Sequence, residues 1–432
     1  MKIHILGICG TFMGGLAQIL VENGHQVSGS DQQFYPPMSD QLKSLDIDMI
    51  EGYDSSNLPA ADLFVIGNAL SRGNPSIEYI LSNKLPYTSG PQMLGELIQD
   101  RRVIAVSGTH GKTSTAFMLC EIFKSKLIDI GYLVGGVSQS IKSSAQLGNA
   151  DIFVIEADEY DSAFFDKRSK FVHYHPDTLI VNNIEFDHAD IFNDLSEILK
   201  QFHHVVRTIP EGGNILIHAE GKNMTTLMEM GCWSHTHKIG TPETISLDSN
   251  KNILIFGEKT FDLNELPFNG IHNYENALMA IYAAYLHGVE PEESFMALKL
   301  FTGVKRRFET IYQDPDFTVI DDFAHHPSAI SSTALAAKGL FDQRILGIIE
   351  LGSNTMSGGF HGHELYKSAE SLDKVLWLNL SGHSSHPDAF LSVEQLVQDL
   401  KLHLDEFGVI LIMSNKDSKK ILDPIIELIK NK

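Results

Sequence analysis

Val103-Ile-Ala-Val-Ser-Gly-Thr-His-Gly-Lys-Thr-Ser-Thr115 is the stretch whose reading decides the fold. Residues 103–106 are apolar, as in a strand buried on both faces of a parallel sheet. A tight turn through Gly108 and Gly111 follows, then Lys112-Thr113-Ser114 and the apolar run Ala116-Phe-Met-Leu-Cys120, which reads as a helix start. Strand, glycine loop and helix form the context in which backbone N–H groups hold phosphate oxygens. Lys112 then reaches β- and γ-phosphates, and the Thr113 hydroxyl suits Mg²⁺. The usual G-x-x-x-x-G-K-[ST] loop has glycine where Val106 stands, so this loop is the compact form Gly108-Thr109-His110-Gly111-Lys112-Thr113. The bland reading is a glycine turn that only caps a helix. The strand before it and the helix after it favour the phosphate loop.

Working outward, 432 residues suggest two or three domains, at about 150 residues each. The net charge of −22 argues against non-specific nucleic-acid binding. Arginine is confined to Arg72, Arg101, Arg102, Arg168, Arg207, Arg306, Arg307 and Arg344. Cys9, Cys120 and Cys232 have no C-x-x-C spacing, which suits a reducing compartment. No run is apolar enough for a membrane span and no leader pattern precedes Lys2-Ile-His-Ile-Leu-Gly7. A soluble cytoplasmic protein is expected.

Upstream, residues 1–100 read as an α/β unit. A strand at 2–8 enters Gly7-Ile-Cys-Gly10 and a helix through Leu16 and Leu20. In the dinucleotide fingerprint the second and third glycines would fall at Cys9 and Phe12, so a nicotinamide cofactor fits poorly. Gly10 still allows backbone to approach a phosphate. The next strand, Gln26–Asp31, ends in Ser30-Asp31, which would meet a ribose or a uracil edge or be ordinary turn residues. Asn68 and Arg72 follow a third strand, at the edge where open α/β sheets bind ligands.

Downstream, Asp151-Ile-Phe-Val-Ile-Glu156 is a strand ending in a carboxylate, the usual place for an acid that completes a Mg²⁺ shell. His188 follows a second strand, 178–184, where it would be a metal or phosphate ligand or an ordinary satisfied polar residue; the flanking acids at the sheet edge favour the ligand. His272 and Asn276 share one face of a helix start, where they would contact an adenine or cap the helix. Lys305-Arg306-Arg307 is the dense cationic spot of an acidic chain, better explained by phosphate than by a solvated linker. Residues 311–432 read as a third α/β unit, with strands at 317–322, 345–351, 374–379 and 408–414. Asp321-Asp322-Phe-Ala-His325-His-Pro327 and Gly352-Ser353-Asn354-Thr355 fall at strand ends on one sheet edge.

These parts describe a ligase better than a simple ATPase. A carboxylate is a poor electrophile, and phosphoryl transfer from ATP turns it into an acyl phosphate that an amine can attack. The protein's work is positioning and charge neutralisation. A P-loop kinase or other NTPase would explain residues 101–192 but give the first domain and the Asp322–Pro327 motif no task.

Gly108–Thr113, Asn183-Ile-Glu-Phe-Asp-His188, the His272–Asn276 segment, Arg306-Arg-Phe308 and Asp322–Pro327 occur in an order that resembles the Mur ligase family, over essentially the whole chain. These are ATP-dependent amino-acid and peptide ligases of bacterial cell-wall precursor synthesis. The resemblance implies a Rossmann-like N-terminal domain that binds a UDP-sugar (1–100), a P-loop ATPase-type central domain (101–310) and a Rossmann-like C-terminal domain that binds the peptide acceptor (311–432). It implies ATP and Mg²⁺ as cofactors. Gly108, Thr109, His110, Gly111, Lys112, Thr113, Ser114, His272, Asn276, Arg307 and Asp322 would bind ATP. Thr113, Glu156 and His188 would hold metal, and Lys112, Glu156, His188, Arg307 and His325 would act in catalysis. Gly10, Ser30, Asp31, Asn68 and Arg72 would hold the UDP-sugar, and Ser353, Asn354 and Thr355 the peptide.

Within the family, Gly7–Ala17, Ser71–Pro75, Phe164-Phe-Asp-Lys-Arg-Ser-Lys170, Asn182–Asp190 and Ser353–Met356 are most similar to members joining UDP-N-acetylmuramate to the cell-wall tripeptide L-Ala-γ-D-Glu-meso-diaminopimelate. Members adding L-alanine to the same nucleotide sugar are the alternative. Two segments depart from the tripeptide pattern: Leu351-Gly352 stands in place of Pro-Arg, and Lys416-Asp-Ser418 in place of a Gly-rich turn.

Overall fold

The computed structural model describes residues 1–34, 38–138, 140–141, 143–187, 191–380 and 388–432, without the side chains of residues 354 and 357. Three large sheets carry the chain, one in each of its three successive α/β segments. The first is wholly parallel, with Lys2–Leu6 at its centre, Gln26–Asp31 and Asp48–Glu51 on one side, and Leu63–Ile66 and Tyr87–Ser89 on the other. Its strands Lys2–Leu6 and Leu63–Ile66 are short and mainly apolar, and helical crossovers between successive strands, a single 3-10 turn in one case, suit parallel pairing.

The second sheet runs His235–Ile239, Asn214–His218, Thr178–Val181, Arg102–Ser107, Ile152–Glu156, Gly131–Leu133 and Ala145–Gln146, with only the last pairing antiparallel. Val103, Ile104, Ala105, Val106 and Ser107 are all buried, as a strand covered on both faces requires. Beyond residue 240 the chain forms a separate antiparallel sheet, Ile245–Asp248, Ile253–Phe256 and Lys259–Asp262.

The third sheet orders Glu309–Gln313, Thr318–Asp322, Val409–Met413, Ile345–Glu350 and Lys374–Leu378. All pairings are parallel except that of Glu309–Gln313. That strand went unread in the sequence because it is a largely exposed edge with little apolar content.

The residues group into two compact units: Met1–Glu185 with Ser196–Glu265 and Asn276–Phe301, and Phe186–Leu195 with Leu266–Glu275 and Thr302–Lys432. The first two sheets share the first unit. There the helix Thr11–Glu22 packs against the second sheet: a Cβ on Gly15 would stand 3.1 Å from Ala145 and 3.3 Å from Leu133. Glu22 accepts the Leu147 N–H at 2.6 Å, and Gln18 accepts the Ser143 hydroxyl at 2.8 Å.

Candidate active site

The loop after Arg102–Ser107 is built for close approach. Gly108 and Gly111 have φ of +129° and +80°, in the region that favours glycine. A Cβ on Gly111 would lie 2.4 Å from Asn276 Oδ1 and 2.8 Å from Asn182 Nδ2. The loop is laced to the neighbouring strand end: Thr109 N–H donates to Asn183 O at 3.1 Å and His110 N–H to Asn183 Oδ1 at 2.7 Å. Asn182 Nδ2 donates to Thr115 Oγ1 at 3.0 Å. Asn182 and Asn183 thus shape the loop, a task their place in a motif did not reveal. The helix Lys112–Ser125 starts directly from this loop, and the N-terminus of a helix, where backbone N–H groups and the helix dipole point outward, suits an anion.

The Lys112 side chain is 12% exposed. Its Nζ donates to Gly108 O at 2.6 Å and to Glu159 at 3.1 Å, and lies 3.8 Å from Asp158. Burial alone would lower its pKa. The carboxylates of Glu159, Asp158 and Glu156 outweigh burial and hold the ammonium above its ordinary value. Thr113 Oγ1 donates to Glu156 Oε1 at 2.9 Å, and Gly135 N–H donates to Oε2 at 2.6 Å. A hydroxyl and a carboxylate held together beside a phosphate loop are the hard oxygen donors that suit Mg²⁺.

In the first sheet, Asp31 is the organiser of the glycine turn. It accepts the Cys9 N–H at 2.8 Å and the Tyr53 hydroxyl at 3.3 Å. Burial first, and then the Asp31 charge, raise the Tyr53 hydroxyl well above its usual pKa. Gly10 caps the helix Thr11–Glu22 and is exposed. Ser30 is 2% exposed, and its hydroxyl lies 2.6 Å from Nε2 of the buried His4. His4 was not anticipated from sequence; its alternation within an apolar strand was the only signal. Asn68 and Arg72 are exposed. The Arg72 guanidinium takes both oxygens of Glu78, at 2.9 and 3.0 Å, and its hydrogen bonds hold that carboxyl down to about 2.

The second unit contains Arg307, Asp322, His325, Ser353, Asn354, Thr355 and His272, whereas Asn276 belongs to the first. Asp322 accepts N–H groups from Phe308 and Ala324, both at 2.7 Å. It thereby ties the Arg306–Phe308 turn to the sheet. Arg306 donates to Asp321 at 3.2 Å and to Ser414 O at 2.7 Å, so this half of the cationic pair is committed internally. Arg306 and Arg307 both stack on Phe323, at 5.2 and 4.8 Å from its ring centre. His325 Nδ1 donates to Phe323 O at 2.9 Å. Burial lowers the pKa of His272, against the pull of the Asp322 carboxylate. His272 and Asn276 both lie in the helix Ile271–Leu286. Ser353 Oγ caps a short turn by accepting the Met356 N–H at 3.1 Å, and Thr355 Oγ1 donates to Asp187 at 3.1 Å. Asn354 begins the helix Asn354–Ser357. His188 lies outside the described residues.

A phosphate loop with a buried lysine and a threonine–glutamate pair, on a parallel sheet between two further α/β sheets in sequence, defines an ATP-using enzyme of the P-loop type. The chain belongs to the Mur ligase family and is an ATP-dependent ligase that forms amide bonds. Residues 2–102 match the Mur ligase family catalytic domain, 106–284 the Mur ligase middle domain and 306–420 the Mur ligase glutamate ligase domain. It is 44% identical, over 100% of its length and 99% of the relative, to the UDP-N-acetylmuramate–L-alanyl-γ-D-glutamyl-meso-2,6-diaminoheptandioate ligase of Haemophilus influenzae. It is 48% identical to the protein of the same name from Escherichia coli, over 88% of this chain and 85% of that one. The crystal structure of a murein peptide ligase from Psychrobacter arcticus superposes with a TM-score of 0.77, at 40% identity over 100% of this chain and 99% of that one.

Proposed function

We propose that this protein joins the carboxylate of UDP-N-acetylmuramate to the amine of L-Ala-γ-D-Glu-meso-diaminopimelate, using ATP. The observation that carries the reading is that likeness to ligases of this name extends over the full length, through all three domains. The alternative acceptor is L-alanine. We assign 1–100 to the nucleotide sugar, 101–310 to ATP and 311–432 to the peptide. Both substrates belong to the cytoplasm. Among the described residues no helix is long and apolar enough to cross a membrane.

The sugar's carboxylate oxygen attacks the γ-phosphorus, and the bond to the β-phosphate oxygen breaks, releasing ADP. The peptide amine then attacks the acyl carbon, phosphate leaves, and the amine proton passes to a base. Lys112 neutralises the β/γ-phosphates at the end of a fixed loop, so its charge needs no reorganisation at the moment of transfer. Arg307 and His325 serve the γ-phosphate and the acyl phosphate. His272 and Asn276 serve the adenine, and Asp322 the ribose. Thr113 and Glu156 would hold Mg²⁺ with His188, and the ion supplies charge neutralisation on the phosphates when bound. Gly10, Ser30, Asp31, Asn68 and Arg72 hold the UDP-sugar; Asp31 does so partly by fixing the Cys9 N–H. Ser353, Asn354 and Thr355 receive the peptide.

The test is ADP formation by purified protein with Mg²⁺, ATP and UDP-N-acetylmuramate, comparing the tripeptide with L-alanine. Turnover with the tripeptide and a UDP-muramyl tripeptide by mass are expected. Turnover with L-alanine alone, or without the nucleotide sugar, overturns the proposal.

A further inference from the structure

Lys170 ends the Phe164–Lys170 segment, to which the reaction as described gives no task. It follows the hairpin Asp161–Ala163/Asp166–Ser169, and its N–H is fixed on Tyr160 O at 2.9 Å. Its side chain is 12% exposed. Nζ lies 3.3 Å from Asp158 Oδ2, and over the rings of Phe12 and Tyr160 at 5.8 and 5.6 Å. An ammonium has three protons to donate. Among the described residues Asp158 is its single hydrogen-bond acceptor, and the two ring faces accept no strong hydrogen bond.

The position of this under-used cation is specific. The other oxygen of Asp158 is 3.8 Å from Lys112 Nζ, so a single carboxylate separates Lys170 from the lysine of the phosphate loop. On its other side is Phe12, one residue into the helix that follows the Gly7–Gly10 turn, whose Cys9 N–H is held by Asp31. Lys170 therefore stands between the turn assigned to the nucleotide sugar and the loop assigned to the γ-phosphate. The reacting carboxylate must lie there, and it is repelled by the γ-phosphate unless a cation other than Lys112 compensates it.

We propose that Lys170 receives the carboxylate of the sugar substrate and holds it for attack on the γ-phosphorus. Asp158 fills that place in the free protein and yields it to the substrate. The proposal rests on the ligase reading above. The two aromatic faces suit the role, because they keep water away and strengthen a charge-assisted hydrogen bond without competing for it.

The experiment compares binding of UDP-N-acetylmuramate and UDP-N-acetylglucosamine, which lacks the carboxylate-bearing ether, to the wild type, Lys170→Met and Lys170→Arg. In the wild type the carboxylate is expected to improve affinity. Lys170→Met should weaken UDP-N-acetylmuramate about tenfold or more, the loss expected for a charge-assisted bond. UDP-N-acetylglucosamine and the KM for ATP should change less than about twofold on the same ground, since neither involves that bond. Lys170→Arg should restore most of the lost affinity, and it keeps the test decisive if Lys170→Met does not fold. Equal weakening of both nucleotide sugars indicates a strut rather than a carboxylate site and overturns the proposal, as does no weakening of either. Failure of the ligase reading shows separately, as a wild type that forms no ADP with UDP-N-acetylmuramate and tripeptide.

Discussion

Glu159 holds the Lys112 ammonium at 3.1 Å from a position only 2% exposed. The lysine proposed to meet phosphate oxygens is thus compensated in advance by a buried carboxylate. Removing that carboxylate strips a nearly buried cation of its best partner, which costs several kcal/mol when no other group is near. Asp158 at 3.8 Å and Gly108 O at 2.6 Å soften the loss. Glu159→Gln should therefore destabilise the free protein by about 2 kcal/mol. ATP should then raise Tm more than it does in the wild type, because phosphate replaces the missing charge. Thermal unfolding with and without MgATP reads both numbers. An unchanged free-protein Tm, or a smaller ATP-induced rise, contradicts the argument.

Glu156 is set differently, with one oxygen on the Thr113 hydroxyl and the other on the Gly135 N–H. Glu156→Gln keeps shape and one acceptor but removes the charge a divalent cation needs. Activity should fall about 100-fold or more, the scale seen when one electrostatic group of a catalytic site is removed. The Mg²⁺ concentration for half-maximal rate should rise, while Tm moves little. A Mg²⁺ titration at saturating ATP decides it; an unchanged Mg²⁺ requirement with a lower rate would remove Glu156 from the metal site.

What the sequence disclosed was contiguous. The phosphate loop needs one strand, one turn and one helix in a row, so Gly108–Thr115 could be read directly. Buried parallel strands such as Ile152–Glu156 were equally plain, since burial on both faces leaves an uninterrupted apolar run. Residues that work through partners distant in sequence were hidden. Nothing near Asn183 shows that it would clasp Thr109 and His110, or near His4 that both its ring nitrogens would meet serines of the next strand. The cationic run 305–307 was legible as charge but not as division of labour. Only the fold shows Arg306 spent on Asp321 and Ser414.

Gly352 tests the peptide-binding edge. A Cβ there would stand 2.6 Å from Asn415 Oδ1 and 2.8 Å from Lys416 Cγ, so the Lys416 side chain lies over the glycine. Gly352→Ala must push that side chain aside. If this edge receives the peptide, the tripeptide KM should rise several-fold while the KM values for ATP and UDP-N-acetylmuramate hold. Steady-state kinetics with each substrate varied in turn separates these. An unchanged tripeptide KM would move the peptide's anchor away from residues 352 and 416.

His4 links the first sheet to acid stability. It has no exposed surface, and its Nδ1 and Nε2 lie 2.8 and 2.6 Å from the Ser28 and Ser30 hydroxyls. Burial lowers its pKa to about 4, and burial likewise lowers His218 and His287 to about 4. Each folded value lies below the ordinary 6.5, so as pH falls the unfolded chain takes up protons first. These groups cost nothing well above pH 6.5. The loss grows as pH falls from 6.5 and is complete near pH 4, where His4 alone accounts for about 3 kcal/mol. The urea midpoint should therefore drop between pH 7.5 and pH 5. His4→Gln, which keeps hydrogen-bonding capacity without a titrating ring, should be less stable than the wild type at pH 7.5 and lose less on acidification. Carboxylates titrate alike in both proteins, so the difference between the two curves isolates the histidine. Parallel curves from pH 7 to pH 4.5 would mean that His4 is protonated in the fold as readily as in the unfolded chain.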